Sequence, residues 1–196
     1  MDTVIHRKKI GLLGGSFNPA HSGHVDISTM ALEKLNLDAV WWIVTPKNPL
    51  KNADNIAPID VRIIYAKNIV GNLPIIPMDI ETDLGSTYTV NTLSHLVKQH
   101  REIDFIWLMG ADNFATFDQW YKWEKIPNIM PLAIFNRPSY DYNALQGKAS
   151  CAMKTFRTDN IADVFDGTLP KWIYIDDTNN TQSSTEIRKK CDDDWW

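Results

Sequence analysis

Residues Ile10 to Leu13 form a short apolar run that stops at Gly14 and Gly15, and from Ile27 onward Ile27, Ala31 and Leu35 recur at four-residue spacing. Between these two patterns lies Gly14-Gly15-Ser16-Phe17-Asn18-Pro19-Ala20-His21-Ser22-Gly23-His24. Strand, glycine turn and helix in that order constrain the chain more than any other feature. They aim backbone N–H groups and the positive end of a helix dipole at one point. Glycine lets the backbone approach a ligand closely, Ser16 adds a hydroxyl, and Pro19 fixes the turn. His21 and His24 stand three apart near the helix start, on one face if that turn is already helical. The stretch reads as a phosphate site with two imidazoles added. It is neither a Rossmann fingerprint, which needs a third glycine near the helix start, nor a P-loop, which needs Gly-Lys-Ser/Thr.

The remaining chain alternates between strand and helix patterns. Ala39 to Val44 is a continuous apolar run ended by Thr45-Pro46, which suits a strand buried on both faces of a parallel sheet. Lys47 to Asn52 is polar and proline-broken, a loop leaving the strand end where open α/β sheets place ligands. Ile59, Ile63 and Ala66 predict a helix after Pro58, with the direction of Arg62 left open. Leu73 to Met78 predicts a short strand whose prolines point to a sheet edge or an early end. A helix beginning near Ser86 or Thr87 carries Leu93, Leu96 and Val97. Phe105 to Met109 predicts a strand ending at Gly110-Ala111-Asp112-Asn113, and Leu132 to Phe135 one closed by Asn136-Arg137-Pro138. Tyr140 to Thr168 is assigned a helix or two, and Trp172 to Ile175 a sixth strand. Ser183 to Arg188 opens a last helix with the serine-to-glutamate spacing of a capping box. The pattern predicts an α/β fold over residues 1–196: a single-domain, Rossmann-like, doubly wound parallel sheet with flanking helices. Residues 1–9 are expected to be a loose N-terminal tail.

Length and charge narrow the function. A chain of 196 residues encloses one substantial core. A net charge of −4 argues against general nucleic-acid binding, yet leaves a mononucleotide site open, where dipoles and a few cations suffice. Cys151 and Cys191 are too few for a disulfide framework, so a reducing compartment is expected. Nothing resembles a signal peptide or a membrane span, and the expected location is cytoplasmic, with no membrane partner. Nothing in the sequence assigns an oligomeric state. The strand ends at the first loop, Lys47 to Lys51, Gly110 to Asn113 and Arg137 gather on one sheet edge and sketch a pocket, which Ser183 to Arg188 is placed to close. His6, His95 and His100 read as surface groups, and Trp41 and Trp42 as core.

His21-Ser22-Gly23-His24 resembles the HxGH signature of the nucleotidyltransferases, and Gly-Gly-Ser-Phe-Asn-Pro before it resembles the adenylyltransferases that make dinucleotide cofactors. Ser183 to Arg188 is similar to the SSTxIR signature of the nicotinate-nucleotide adenylyltransferases. Gly110 to Asn113 is similar to their GxDxx turn, Thr87-Tyr88-Thr89 to their SYT segment, and Trp120-Tyr121 to an aromatic pair that follows that turn. The matches run in family order over nearly the whole chain. The resemblance implies adenylyl transfer from ATP to nicotinate mononucleotide, giving nicotinate adenine dinucleotide and pyrophosphate in NAD biosynthesis. It implies an ATP site of Gly14, Gly15, Ser16, Phe17, His21, His24, Gly110, Asp112, Ser184, Thr185 and Arg188, with His21, His24 and Arg188 catalytic. Asp112 would hold the ATP ribose, and Ser184 and Arg188 the outer phosphates. The mononucleotide site would comprise Thr89, Trp120, Tyr121, Lys47 and Asn48, with Thr89 meeting the carboxylate and Trp120 stacking on the pyridine. Asn18 and Thr87 depart from the family's aspartate and serine.

The chemistry agrees with that implication. A nucleotide phosphate attacking the α-phosphorus of ATP is already ionised and needs no general base, so alignment and charge stabilisation carry catalysis. Mg²⁺ is expected to bridge the ATP phosphates, and no carboxylate cluster suggests a protein-held metal. A phosphopantetheine adenylyltransferase is the nearest rival, but it leaves Thr87 to Thr89 and Trp120-Tyr121 without a role. A non-catalytic nucleotide sensor on the same fold would not need His21, His24 and Arg188 together.

Overall fold

The chain winds outward in both directions from its first strand. A computed structural model describes residues 7–46, 56–137, 141–176 and 182–190, without the side chains of 141–143 and 190. Its strands are β1 (Lys8–Gly15), β2 (Ala39–Val44), β3 (Ile75–Met78), β4 (Ile103–Gly110), β5 (Leu132–Phe135), β6 (Arg157–Thr158) and β7 (Trp172–Ile175). They form one sheet in the order β3-β2-β1-β4-β5-β7-β6, and every neighbouring pair is parallel. The winding direction reverses between β1 and β4, the switch point where open α/β sheets leave a crevice for ligands.

Alternation along the strands sends side chains to two cores, one on each face. Leu12, Trp107, Leu132 and Trp172 face one way and pack with Val90, Leu93 and Leu96 of the helix α4 (Thr89–Gln99). Leu13, Trp42, Leu108 and Phe135 face the other, against Ala31 and Leu35 at α1 (Ser22–Lys34) and Ala66 and Val70 of α2 (Ile59–Val70). Trp42 is fully buried, and its indole N–H is satisfied by Ser28 Oγ at 2.8 Å, which explains a buried serine inside α1. Trp41 packs at the margin of the opposite core, so both tryptophans are core residues.

Several boundaries differ from the sequence reading. Strand β1 starts at Lys8, inside the expected tail, because Lys8 and Lys9 pair with Ile103 and Asp104 while their charged side chains reach the surface at the strand's polar end. Strand β3 is shorter than predicted and lies at the edge, where Pro77 costs no ladder bond on its outer side. The helix α4 begins at Thr89 with Tyr88 as its N-cap, and a four-residue helix, α3 (Glu81–Leu84), precedes it. Two residues make β6, too few to leave an apolar signature. Three further helices, α5 (Ala111–Phe114), α6 (Asp141–Gln146) and α7 (Lys148–Ala152), fill the connections around β5, and α8 (Ser184–Lys190) follows β7. No helix among the described residues is long and apolar enough to cross a membrane.

Candidate active site

The first loop leaves β1 at Gly15 and enters α1 with His21 as its N-cap. Gly14 must be glycine for close approach, since a Cβ there would lie 2.4 Å from the Trp107 ring. Phe17 holds a φ of 46°, a left-handed conformation unusual for a bulky residue. Such a conformation persists only where the surroundings impose it. Its ring stacks on Trp42 at 4.7 Å with a 16° interplanar angle, and the Ser16 carbonyl before it accepts a hydrogen bond from Arg62 Nη1 at 2.6 Å.

The two histidines meet with ring centroids 3.8 Å apart. The His21 backbone N–H donates to His24 Nδ1 at 3.2 Å, so a neutral His24 ring carries its proton on Nε2. His21 is buried, and its pKa falls to about 4 through burial first and the positive charge of Arg137 second, with Asp26 opposing. At neutral pH it is an uncharged imidazole.

The last helix closes on this loop. Ser184 Oγ donates to the Pro19 carbonyl at 2.9 Å, and Arg188 Nη1 donates to the Asn18 carbonyl. Arg188 Nη2 lies 3.4 Å from Thr185 Oγ1, while Ser22 Oγ reaches Gln182 Oε1 at 2.8 Å. Half of the expected capping box is present, the Glu186 N–H donating to Ser183 Oγ at 3.2 Å. Asn18 is buried, and its side-chain oxygen accepts the Ala57 N–H at 3.0 Å, a structural use that an amide fulfils as well as an acid.

At the end of β4, a Cβ on Gly110 would lie 2.5 Å from Asp112 Oδ1, so a larger residue there would displace the Asp112 carboxylate. Asp112 Oδ2 is 2.5 Å from Arg137 Nη1, and Arg137 Nη2 donates to the Gln182 carbonyl at 2.6 Å. Arg137 thereby joins the β4 turn to the segment entering α8. The sequence placed Arg137 at a strand end without including it in either substrate site; a cation just past a β5 terminus on the ligand edge was the available signal.

Trp120 presents a half-buried ring, edge-on to Trp107 at 6.4 Å and to Phe117 at 5.4 Å. Tyr121 is exposed and its ring lies 4.5 Å from that of Tyr88, with Lys122 Nζ 4.7 Å from the ring centre. Tyr88 is the N-cap of α4 and precedes Thr89, which is half-buried at the helix's first position. Glu81 was not anticipated: it is buried, accepts from Thr92 Oγ1 at 3.0 Å, and has its carboxyl pushed above the usual range by burial, with Thr45 and Thr92 hydrogen bonds opposing. Lys47 and Asn48 lie outside the described residues. Among the described residues no cluster of three His, Cys, Asp or Glu side chains is placed to hold a metal. The arrangement offers amides, imidazoles and guanidinium groups to anionic oxygens at the first loop, and aromatic rings near a helix N-terminus at Trp120, Tyr121 and Tyr88.

Comparison with known proteins gives a family model described as cytidylyltransferase-like that matches residues 12–190. A Methylorubrum extorquens (strain PA1) protein named "Probable nicotinate-nucleotide adenylyltransferase" is 39% identical over 187 residues, covering 93% of this chain and all of that one. A protein of the same name from Erythrobacter litoralis (strain HTCC2594) is 42% identical over 189 residues, covering 95% of this chain and 86% of that one. Among solved structures, the Plasmodium falciparum nicotinic acid mononucleotide adenylyltransferase complexed with NaAD aligns with a TM-score of 0.70 over 93% of this chain and 83% of that one. At 20% identity that likeness speaks for the fold.

Proposed function

The chain belongs to the cytidylyltransferase-like nucleotidyltransferases and, among them, to the nicotinate-nucleotide adenylyltransferases, and we propose that it performs their reaction through the residues gathered at the first loop. It transfers the adenylyl group of ATP to nicotinate mononucleotide, giving nicotinate adenine dinucleotide and pyrophosphate in NAD biosynthesis. The residue-level reading is supported above all by α8 bonding to the first loop through Ser184 and Arg188, which draws two separate phosphate-binding groups to one place.

In this reading a phosphate oxygen of the mononucleotide attacks the α-phosphorus of ATP in line. The new P–O bond forms as the bond to the bridging oxygen of pyrophosphate breaks, with no covalent enzyme intermediate and no proton to remove. His24 donates through Nε2–H to the phosphate on which charge builds, and His21 acts beside it as a neutral donor. The amides of Gly15 to Phe17 and the N-terminus of α1 face the triphosphate, and Ser184 and Arg188 hold its outer end, with Thr185 beside them. Asp112, oriented by Arg137, accepts from the ribose hydroxyls beside Gly110. Trp120 stacks on the pyridine, while Thr89 and a backbone amide near Tyr121 donate to its carboxylate, and Lys47 and Asn48 belong to the same mononucleotide side.

Nitrogen and hydroxyl donors suit phosphate oxygens, not the oxygen cage that Mg²⁺ prefers. We therefore assign Mg²⁺ to the ATP phosphates rather than to the protein's side chains; bound there, it would neutralise phosphate charge. A cytoplasmic location goes with this reading. The test is incubation with ATP, Mg²⁺ and either nicotinate mononucleotide or phosphopantetheine, followed by chromatography. Dinucleotide and pyrophosphate in equal amounts are expected with the mononucleotide alone; product only with phosphopantetheine, or none at all, would overturn the assignment.

A further inference from the structure

Arg62 lies in the first turn of α2 and is only 1% exposed; its hydrogen bonds among the described residues all go to backbone carbonyls, while the negative charge of Asp79 bears on it electrostatically. Its Nε donates to Ala57 O at 2.8 Å, its Nη1 to Ser16 O at 2.6 Å and Thr45 O at 2.8 Å, and its Nη2 to Pro46 O at 3.3 Å. Burying a guanidinium costs free energy that an apolar side chain of similar size would avoid, so its retention calls for a reason beyond packing. Its acceptors belong to three segments: the first loop after β1, the end of β2, and Ala57 just before α2.

The Ser16 bond has a direct geometric consequence. In a trans peptide the C=O and the following N–H point in opposite directions. Drawing the Ser16 carbonyl toward α2 therefore turns the Phe17 N–H away from α2. That N–H makes no hydrogen bond among the described residues, and it belongs to the residue held in the left-handed conformation. A backbone donor at a phosphate loop, strained into place and without an acceptor among the described residues, is a donor prepared for a ligand.

We propose that Arg62 is a positioning residue for adenylyl transfer, holding the Ser16–Phe17 peptide so that Phe17 N–H donates to an ATP phosphate and tying that peptide to the end of β2. The inference rests on the nucleotide-site reading above but concerns a residue outside it. Arg62 does not touch substrate; it acts through the peptide. When Phe17 N–H binds an anion, the Ser16 carbonyl becomes a stronger acceptor, so the Arg62 bond tightens with ligand binding.

Amide NMR of the whole chain, titrated with a non-hydrolysable ATP analogue and separately with adenosine, tests this. In the wild type the Phe17 amide should move downfield with the analogue and not with adenosine, and the Arg62 side-chain N–H signals should follow the same titration curve. An unmoved Phe17 amide or unmoved Arg62 signals would overturn the proposal without any variant being made. In Arg62→Lys and Arg62→Met the downfield shift should be lost, and affinity should fall for the triphosphate analogue while that for adenosine holds. kcat should fall roughly ten- to hundredfold, less in the lysine variant, because small misplacements near reacting groups are costly. Equal losses for analogue and adenosine, or a folded variant that keeps the shift and the rate, would reduce Arg62 to a core residue. If the wild type makes no dinucleotide, the catalytic assignment fails, while the Phe17 and Arg62 signals still decide whether this peptide binds phosphate.

Discussion

Arg137 Nη1 lies 2.5 Å from Asp112 Oδ2, and both groups are about a quarter exposed, at 24% and 25%. The pair joins the ends of β4 and β5 across the ligand edge of the sheet. Its positive member also bears on His21, whose pKa it lowers after burial has already done so.

Arg137→Met should therefore raise the His21 pKa from about 4 part of the way toward 6.5, since burial persists and the neighbouring charge does not. The sign for stability follows. With a folded pKa below the unfolded value, the folded state holds fewer protons, and stability is lost as pH falls from about 6.5 toward 4. The variant should lose less of it over that window. Histidine NMR titration measures the pKa directly, and a His21 value at or below the wild type's would contradict the assignment of cause.

His24 separates structure from chemistry through its two ring nitrogens. Nδ1 accepts the His21 N–H, and Nε2–H is assigned to the phosphates. Replacement by Asn keeps an acceptor near Nδ1 and removes the outer donor, whereas Ala removes both. Both variants should lose roughly a hundredfold or more in kcat, with ATP affinity much less affected, because one donor to developing charge is worth about 2–4 kcal/mol. Turnover near the wild-type rate in both would remove His24 from the reaction.

Glu81 gives the opposite pH signature to His21. Its folded pKa is raised by burial, and Oε2 has no hydrogen-bond partner. The folded state then holds the proton more tightly than the unfolded chain, so stability declines as pH rises above the ordinary carboxylate value. Gln keeps an acceptor for Thr92 Oγ1 and cannot ionise. The melting temperature of Glu81→Gln relative to wild type should thus climb as pH rises above 4.5 and level off once the folded carboxyl has ionised. A constant difference across that range would mean that Glu81 titrates normally.

What the sequence made legible was local. The glycine turn, the histidine spacing and the apolar runs of β1, β2 and β4 each sit within a few residues, and periodicity or turn chemistry reads them directly. The closing of α8 on the first loop, with Ser184 at Pro19 and Arg188 at Asn18, was expected from strand-end topology and from family resemblance, since no local pattern encodes a contact across the whole chain. Arg62, Arg137 and Glu81 escaped assignment for a common reason. Their partners are backbone carbonyls or side chains on other elements of the fold, and a charged residue in a helix or loop does not announce which way it points. Strand β6 was invisible because two polar residues carry no alternation.

The choice between acid and amide mononucleotides tests the pyridine side of the site. A carboxylate presents two oxygens that only accept, while the amide replaces one of them with a donor NH₂. Thr89, at the first position of α4, and a backbone N–H near Tyr121 are both donors in our reading. The amide would turn a donor toward a donor and leave a buried group unpaired, a mismatch that can discriminate strongly. Trp120 offers only its ring face, which scarcely distinguishes the two. The expected outcome is a clear preference for nicotinate mononucleotide in kcat/KM. Thr89→Val should erode that preference, and Trp120→Ala should weaken both substrates more evenly. Equal efficiency with both mononucleotides in the wild type would sink the donor-lined pocket, and the adenylyl-transfer chemistry at the first loop would stand without it.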